Sequence, residues 1–367
     1  MGAMAQQRSP RVFEPISATR VRLDGRELVT FAGCDYLGLA HDRRVVEALR
    51  GGADRCGISA GASRSTTGTC SAHERLEAEL ARLIGTEACA LTPDGFLANL
   101  AAAEAIGPAH ALADADAHPT LVESFGADVR RYPHLDAGAA AKLAEELRVD
   151  GGRLALCTDG VFAATGDVAP LDRLVAILRG PDDLLLADDC HGTGVLGVGG
   201  SGTPAHFGLD GTRLAVTTTL AKALGCAGGV VGGASAIIER VRRTTAYVCT
   251  TPIAPAMAEA ALEALRIIGQ EPDRLDRLHD NERRMRSALH SVGIDTGGSP
   301  TPIFCFTMGT PDSMRRIERD LLRAGFLAPL VEYPGSPAGG CFRLIVTSEH
   351  EPGQIDALAA CLDRSLA

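Results

Sequence analysis

Through the middle of the chain, short and nearly unbroken apolar runs alternate with stretches of helical period. HALAD (110–114), RLALCTD (153–159), LLLADD (184–189), LAVTTT (214–219) and GGVVGG (228–233) read as strands buried on both faces. Ahead of these runs Leu76, Leu80, Leu83 and Ile84 recur at helical spacing, behind a capping box at Ser71-x-x-Glu74 and ahead of a closing Gly85. Strands alternating with helices predict an α/β fold with a mostly parallel sheet flanked by helices. Ahead of it, residues 1–45 read as an arm, in which RVRLDGRELVTF (20–31) alternates like a hairpin around Asp24-Gly25. From 272 onward the charge density rises through EPDRLDRLHDNERRMR. TPIFCFTM (301–308), FLAPLVEY (326–333) and CFRLIVT (341–347) then predict a smaller α+β unit. The expected division is an arm (1–45), a large domain (46–271) and a small C-terminal domain (272–367).

Charge narrows the function. A formal net charge of -10 lacks the basic footprint that phosphate backbones require, which argues against a nucleic-acid partner. The longest apolar stretch, Ala223 to Ile238, is broken by five glycines, so no membrane span is expected. Arg8, Pro10, Arg11 and Glu14 stand where a secretory apolar region would lie, and a cytoplasmic location is expected. Eleven cysteines without CxxC or zinc-finger spacing are read as reduced and mostly buried.

Lysine usage changes the picture more. Of 36 basic residues only Lys142 and Lys222 are lysines. Lys142, in AAKLAEELR, reads as a solvated helix residue. Lys222, in TTTLAKALGCAGG, lies among small and apolar residues, where burial makes an amine available as a nucleophile.

Ligands of an open parallel sheet bind beyond the carboxyl ends of its strands. The residues following each apolar run are Asp116 and His118, then Thr158 and Asp159, then Asp188, Asp189 and His191, then Thr217 to Thr219 and Lys222. Pyridoxal phosphate chemistry needs these types: a lysine for the aldehyde, a carboxylate for the pyridine nitrogen, an imidazole against the ring, and backbone N–H groups for the phosphate. TPDGFLANLAA, with Asp94 as a candidate N-cap, offers such a helix N-terminus. DDCHGTG also matches a DxxH metal pair or a simple turn, but no Cys/His spacing supplies further ligands, and no metal is expected.

CDYLGLA (34–40), GISAGASRSTTG (57–68), DGFLAN (94–99), DADAH (114–118), TDGVFAATGDVAPL (158–171), DDCHGTGVLG (188–197), TLAKALG (219–225) and FRLIVTSEH (342–350) together resemble the α-oxoamine synthases, fold type I pyridoxal-phosphate enzymes. Within that family DDCHGTGVLG and TLAKALG are most similar to the biotin-pathway member. The resemblance implies condensation of a small amino acid, alanine or glycine, with an acyl-CoA or acyl-carrier-protein thioester. It implies that Lys222 holds the cofactor, Asp188 pairs with the ring nitrogen, His191 contacts the ring hydroxyl and His118 stacks on the ring. Gly95 and Phe96 would give N–H groups to the phosphate, with Thr219 adding a hydroxyl. A homodimer with shared active sites is implied, in which Thr250 and Thr251 reach the neighbouring phosphate. Arg343 would bind the amino-acid carboxylate, for which its planar fork is suited.

Departures from the family pattern blur the substrate and leave a specialised secondary-pathway synthase open. Cys34 stands where an asparagine is usual, Ala163 where a serine is, Asp94 where a serine precedes Gly-Phe, and Ala221 where glycine or serine precedes the lysine. The competing readings are an aldolase or aminotransferase on the same fold, and a non-catalytic partner subunit of a heteromeric synthase.

Overall fold

The computed structural model describes residues 11–148, 152–332 and 339–366. The secretory-region reading of Arg8 and Pro10 lies outside the described residues, as does Tyr333. Contacts divide the chain into two compact units, one of Leu39–Ala163 with Asp167–Leu275, the other of the described residues up to Gly38 with Ala164–Gly166 and 276–366.

The chain enters through strands β1 (Glu14–Ser17), β2 (Arg20–Leu23) and β3 (Arg26–Thr30). Asp24 and Gly25 both take positive φ, which a two-residue hairpin turn of this twist requires. Seven strands build the large sheet: β4 (Ala88–Thr92), β5 (His110–Asp114), β6 (Val129–Tyr132), β7 (Leu154–Asp159), β8 (Leu184–Asp188), β9 (Leu214–Thr219) and β10 (Gly229–Gly233). Their spatial order is β4-β10-β9-β8-β7-β5-β6. From β9 to β6 all pairs are parallel, whereas β10 runs antiparallel to both neighbours. Every residue of β7, β8 and β9 is buried, the consequence of helices on both faces.

Helices α1 (Arg43–Cys56), α2 (Ser71–Ile84) and α3 (Gly95–Ile106) belong to the same unit. The capping box at the start of α2 is corrected by one residue. Cys70 is the N-cap, and its N–H donates to Nδ1 of His73 at 3.3 Å. The His73 ring is fully buried and its Nε2 lies 2.9 Å from the Ile253 carbonyl, so burial of that imidazole decides where the helix begins. Gly85 closes α2 in the left-handed conformation.

The second unit contains β11 (Ile303–Phe306), β12 (Phe326–Leu327), β13 (Leu330–Val331) and β14 (Cys341–Ile345). β12 pairs in parallel with β3, which makes the N-terminal strands part of this unit's four-stranded sheet. The other sheet has the order β11-β14-β13. Its core joins Phe31 to Phe304, Phe342, Leu344 and Ile355. Among the described residues no helix is long and apolar enough to cross a membrane. Four of the eleven cysteines are buried, fewer than expected, and Cys56 and Cys249 are exposed.

Candidate active site

The parallel strands β5, β7, β8 and β9 end on one edge of the sheet. Register places Asp159 beside Asp188, and Asp188 beside Thr217. Asp188 is buried, and its two oxygens are held by neutral donors. Asn99 Nδ2, from α3, donates to Oδ2 at 2.8 Å, and the Cys190 N–H donates to Oδ1 at 3.1 Å. Thr217 in turn donates to Asn99 Oδ1 at 2.6 Å, which fixes the amide with its NH2 toward the carboxylate. Asp159 accepts the His118 N–H at 3.0 Å. Burial, reinforced by the Asp188 charge, pushes its pKa well above the usual carboxylate range, so the pair relieves its repulsion by holding a proton more tightly on Asp159.

Lys222 follows β9 in a tight turn closed by bonds from the Gly225 N–H to the Lys222 carbonyl and from the Cys226 N–H to the Leu220 carbonyl, at 2.9 and 2.8 Å. Gly225 has φ of 64°, and a Cβ there would run into the backbone of Leu39 and Ala40, so only glycine makes this turn. Lys222 Nζ lies 2.8 Å from His191 Nε2. His191 is buried within a turn organised around Asp189, whose carboxylate accepts from Thr193 Oγ1 at 2.9 Å and from the Thr203 N–H. Burial holds the Asp189 pKa up at about 7. His118 caps the helix Pro119–Ser124, with Nδ1 2.7 Å from Thr120 Oγ1 and an exposed ring. Desolvation lowers its pKa against the opposing pull of Asp188, which favours a neutral imidazole.

Helix α3 starts at Gly95, where a Cβ would lie 3.5 Å from Cys190 Sγ and 3.6 Å from Thr219 Cβ. Its N-terminus therefore opens beside the turn carrying His191 and the end of β9, which leads to Lys222. Asp94 Oδ1 accepts the Leu97 N–H at 2.8 Å as N-cap, leaving the N–H groups of Gly95 and Phe96 as first-turn donors. The Thr219 hydroxyl donates its proton to the Gly228 carbonyl at 2.9 Å and accepts from the Ala221 N–H, so it has no further proton to offer an anion.

Lys222, His191, Asp188, His118 and the start of α3 are thus brought together. Thr250 and Thr251 are not part of that cluster. Thr250 donates to the Ala246 carbonyl and lines a separate cavity of about 690 Å³ with Leu97, Leu100 and Phe125, while Thr251 is exposed.

In the second unit, buried Arg343 stands on β14. Tyr36, wholly buried, hydrogen-bonds with the Arg343 guanidinium and the half-buried Cys34 thiol, and burial pushes its hydroxyl pKa well above the ordinary value. Arg343 and Cys34, some three hundred residues apart in the chain, meet on one phenol. Asn99 and Tyr36 were not singled out from the sequence as site residues, whereas Asp159 and Thr217 stood in the strand-end set. Asn99 and Tyr36 lay inside the quoted motifs DGFLAN and CDYLGLA, a polar group within an apolar run being their only local signal. Among the described residues no group of three or more His, Cys, Asp or Glu side chains is arranged to hold a metal ion.

The family model for class I and II aminotransferases matches residues 26–362. The 8-amino-7-oxononanoate synthase of Methylococcus capsulatus is 39% identical over 360 residues, 96% of this chain and 92% of that protein. Its counterpart from Thioalkalivibrio sulfidiphilus is 38% identical over 98% of this chain and 93% of its own. Among solved structures, a serine palmitoyltransferase from S. paucimobilis with a bound PLP-myriocin aldimine superposes with a TM-score of 0.90 at 24% identity, covering 96% of this chain and 90% of that one. An 8-amino-7-oxononanoate synthase from Francisella tularensis gives 0.78 at 24% identity, over 92% and 98%. These structural likenesses establish the fold type I architecture.

Proposed function

Since the chain belongs to the class I and II aminotransferase family and is a pyridoxal-phosphate-dependent α-oxoamine synthase, we propose that it joins a small amino acid, alanine or glycine, to an acyl group carried as a CoA or acyl-carrier-protein thioester. Carbon dioxide and the free thiol leave, and an aminoketone remains. We assign the chemistry to the strand ends of the large unit, working in the cytoplasm and as a homodimer in which Thr250 and Thr251 serve the phosphate site of a second copy.

The observation that carries this reading is the convergence of an amine, a clamped carboxylate and a helix N-terminus at the ends of β8 and β9. This donor set suits pyridoxal phosphate, which when bound supplies an electrophilic aldehyde carbon and a ring able to take up electrons released at the amino acid's Cα. Lys222 Nζ is the amine that holds that carbon and moves the Cα proton, and His191 Nε2 at 2.8 Å orients it. Asp188 holds a proton on the ring nitrogen. Asn99 and the Cys190 N–H keep the carboxylate aimed without neutralising it, because both are uncharged donors. The exposed His118 imidazole, which its lowered pKa keeps neutral, would stack on the ring. The N–H groups of Gly95 and Phe96 hold the phosphate at a helix terminus favourable to anions. In the second unit Arg343, steadied by Tyr36, takes the amino-acid carboxylate.

Product mass spectrometry over a matrix of amino acids and acyl thioesters tests the assignment. Aminoketone and free thiol formed together are expected. Formation of a 2-oxo acid without thioester consumption would instead make the protein an aminotransferase.

A further inference from the structure

The sulfurs of Cys305 and Cys341 lie 3.0 Å apart on neighbouring strands. Cys305, on β11, stands opposite Arg343 of β14 in the antiparallel register. Cys341 precedes Arg343 by two residues on the same strand, so its side chain leaves the same face. Both thiols and the guanidinium stem therefore share one face of the three-stranded sheet, the thiols forming a diagonal pair between β11 and β14. Cys341 is 3% exposed, whereas Cys305 is half-buried. Cys305 is thus the less buried of the two and Cys341 the more buried, which suits them to the roles of attacking and resolving thiol.

Resting on the reading of Arg343 as the carboxylate-binding arginine, we propose that Cys305 and Cys341 are a disulfide-forming pair, closed by hydroperoxides, whose oxidation weakens amino-acid binding. Cys305 sulfur, as thiolate, attacks the terminal peroxide oxygen. The O–O bond breaks, and water leaves when the oxidant is hydrogen peroxide. Cys341 sulfur then attacks the resulting sulfenic sulfur, a second water departs, and the S–S bond forms. Two thiols and one peroxide give one disulfide and two waters, the peroxide taking up two electrons. A disulfide tolerates only a narrow range of Cβ separations, about 3.5–4.5 Å, so closing it across the diagonal draws β11 and β14 together beneath Arg343. A dithiol reverses the step by exchange.

The test uses the holoenzyme treated with hydrogen peroxide, alkylated, and mapped as non-reduced peptides. Amino-acid affinity is read in parallel from the absorbance change of the bound cofactor. A Cys305–Cys341 cross-link, a several-fold rise in amino-acid Kd, and recovery of both after dithiothreitol are expected. Cys305→Ser should start with wild-type affinity and keep it under peroxide, and Cys341→Ser gives a second such control. Absence of the cross-link, a cross-link with unchanged Kd, or a Cys305→Ser protein as sensitive as wild type would each overturn the proposal. Neither readout needs a thioester, so failure of the assigned condensation and failure of this inference are told apart.

Discussion

Asp188 and Arg343 are both buried charges on β-strands, and the two units hold them in opposite ways. Asp188 is locked by its own sheet, through the Cys190 N–H two residues on, and through Asn99 with Thr217 from the adjoining helix and strand. Arg343 is steadied by a phenol and a thiol from the far end of the chain, Tyr36 and Cys34. The first arrangement points one carboxylate in one direction and leaves little freedom. The second ends in a thiol, Cys34, which offers fewer fixed donors than an amide would. On the function proposed above, the large unit supplies the reacting groups and the small unit the arginine for the amino-acid carboxylate.

If that contrast holds, changes in the large unit should act on turnover and changes in the small unit on amino-acid affinity. Asp188→Asn should cost more than any change in the small unit, a drop in kcat of about 10²–10³-fold with cofactor still bound, because it removes a preorganised charge. Steady-state kinetics with saturating cofactor checks this, and activity within about twofold of wild type would remove Asp188 from its role. Next comes acid stability of the small unit. His350 stacks on Phe31, accepts from the Thr347 N–H on Nδ1, and has Nε2 2.9 Å from the Thr30 carbonyl. Burial pushes its pKa down to about 4. The unfolded chain takes up a proton near pH 6.5 and the folded chain does not, so stability is unaffected above that pH. It should fall by about 3 kcal/mol as pH drops from 6.5 to 4. In denaturant melts across that range, the stability of wild type relative to His350→Gln should fall by about that amount.

Arg343→Ala follows, raising amino-acid KM by about 10–100-fold through loss of charge-assisted hydrogen bonds worth about 1.5–3 kcal/mol. Smallest is Cys34→Asn, which restores an amide and should lower amino-acid KM by about 2–10-fold while thioester KM barely moves. A raised KM would mean that the thiol does not stand in for the family's asparagine.

Five of the seven strands of the large sheet were legible because burial on both faces writes continuous apolar runs, whereas VRRY of β6, at the sheet edge and partly exposed, has no such run. Lys222 stood out because arginine serves nearly every other cationic position. The direction of β10 was not legible. GGVVGG marks a buried strand, but nothing in a run of small and apolar residues says which way it is crossed. β4 was missed for a related reason, since ACALT between two helices has no alternation to separate it from a helix end. Asn99 and Tyr36 became functional candidates only through what they touch, and hydrogen-bond partners 89 and several hundred residues away leave no local trace. Asp94 shows the converse, because its place before Gly95 announced a cap and the structure turns its carboxylate onto the Leu97 N–H.

The central claim is that Lys222, rather than any other amine, holds the cofactor. Purified protein loaded with pyridoxal phosphate, reduced with borohydride, digested and mapped by mass spectrometry should carry the pyridoxyl group on the Lys222 peptide, and Lys222→Ala should carry none and lose activity by more than about a thousandfold. Label on Lys142, or wild-type turnover in Lys222→Ala, would contradict it.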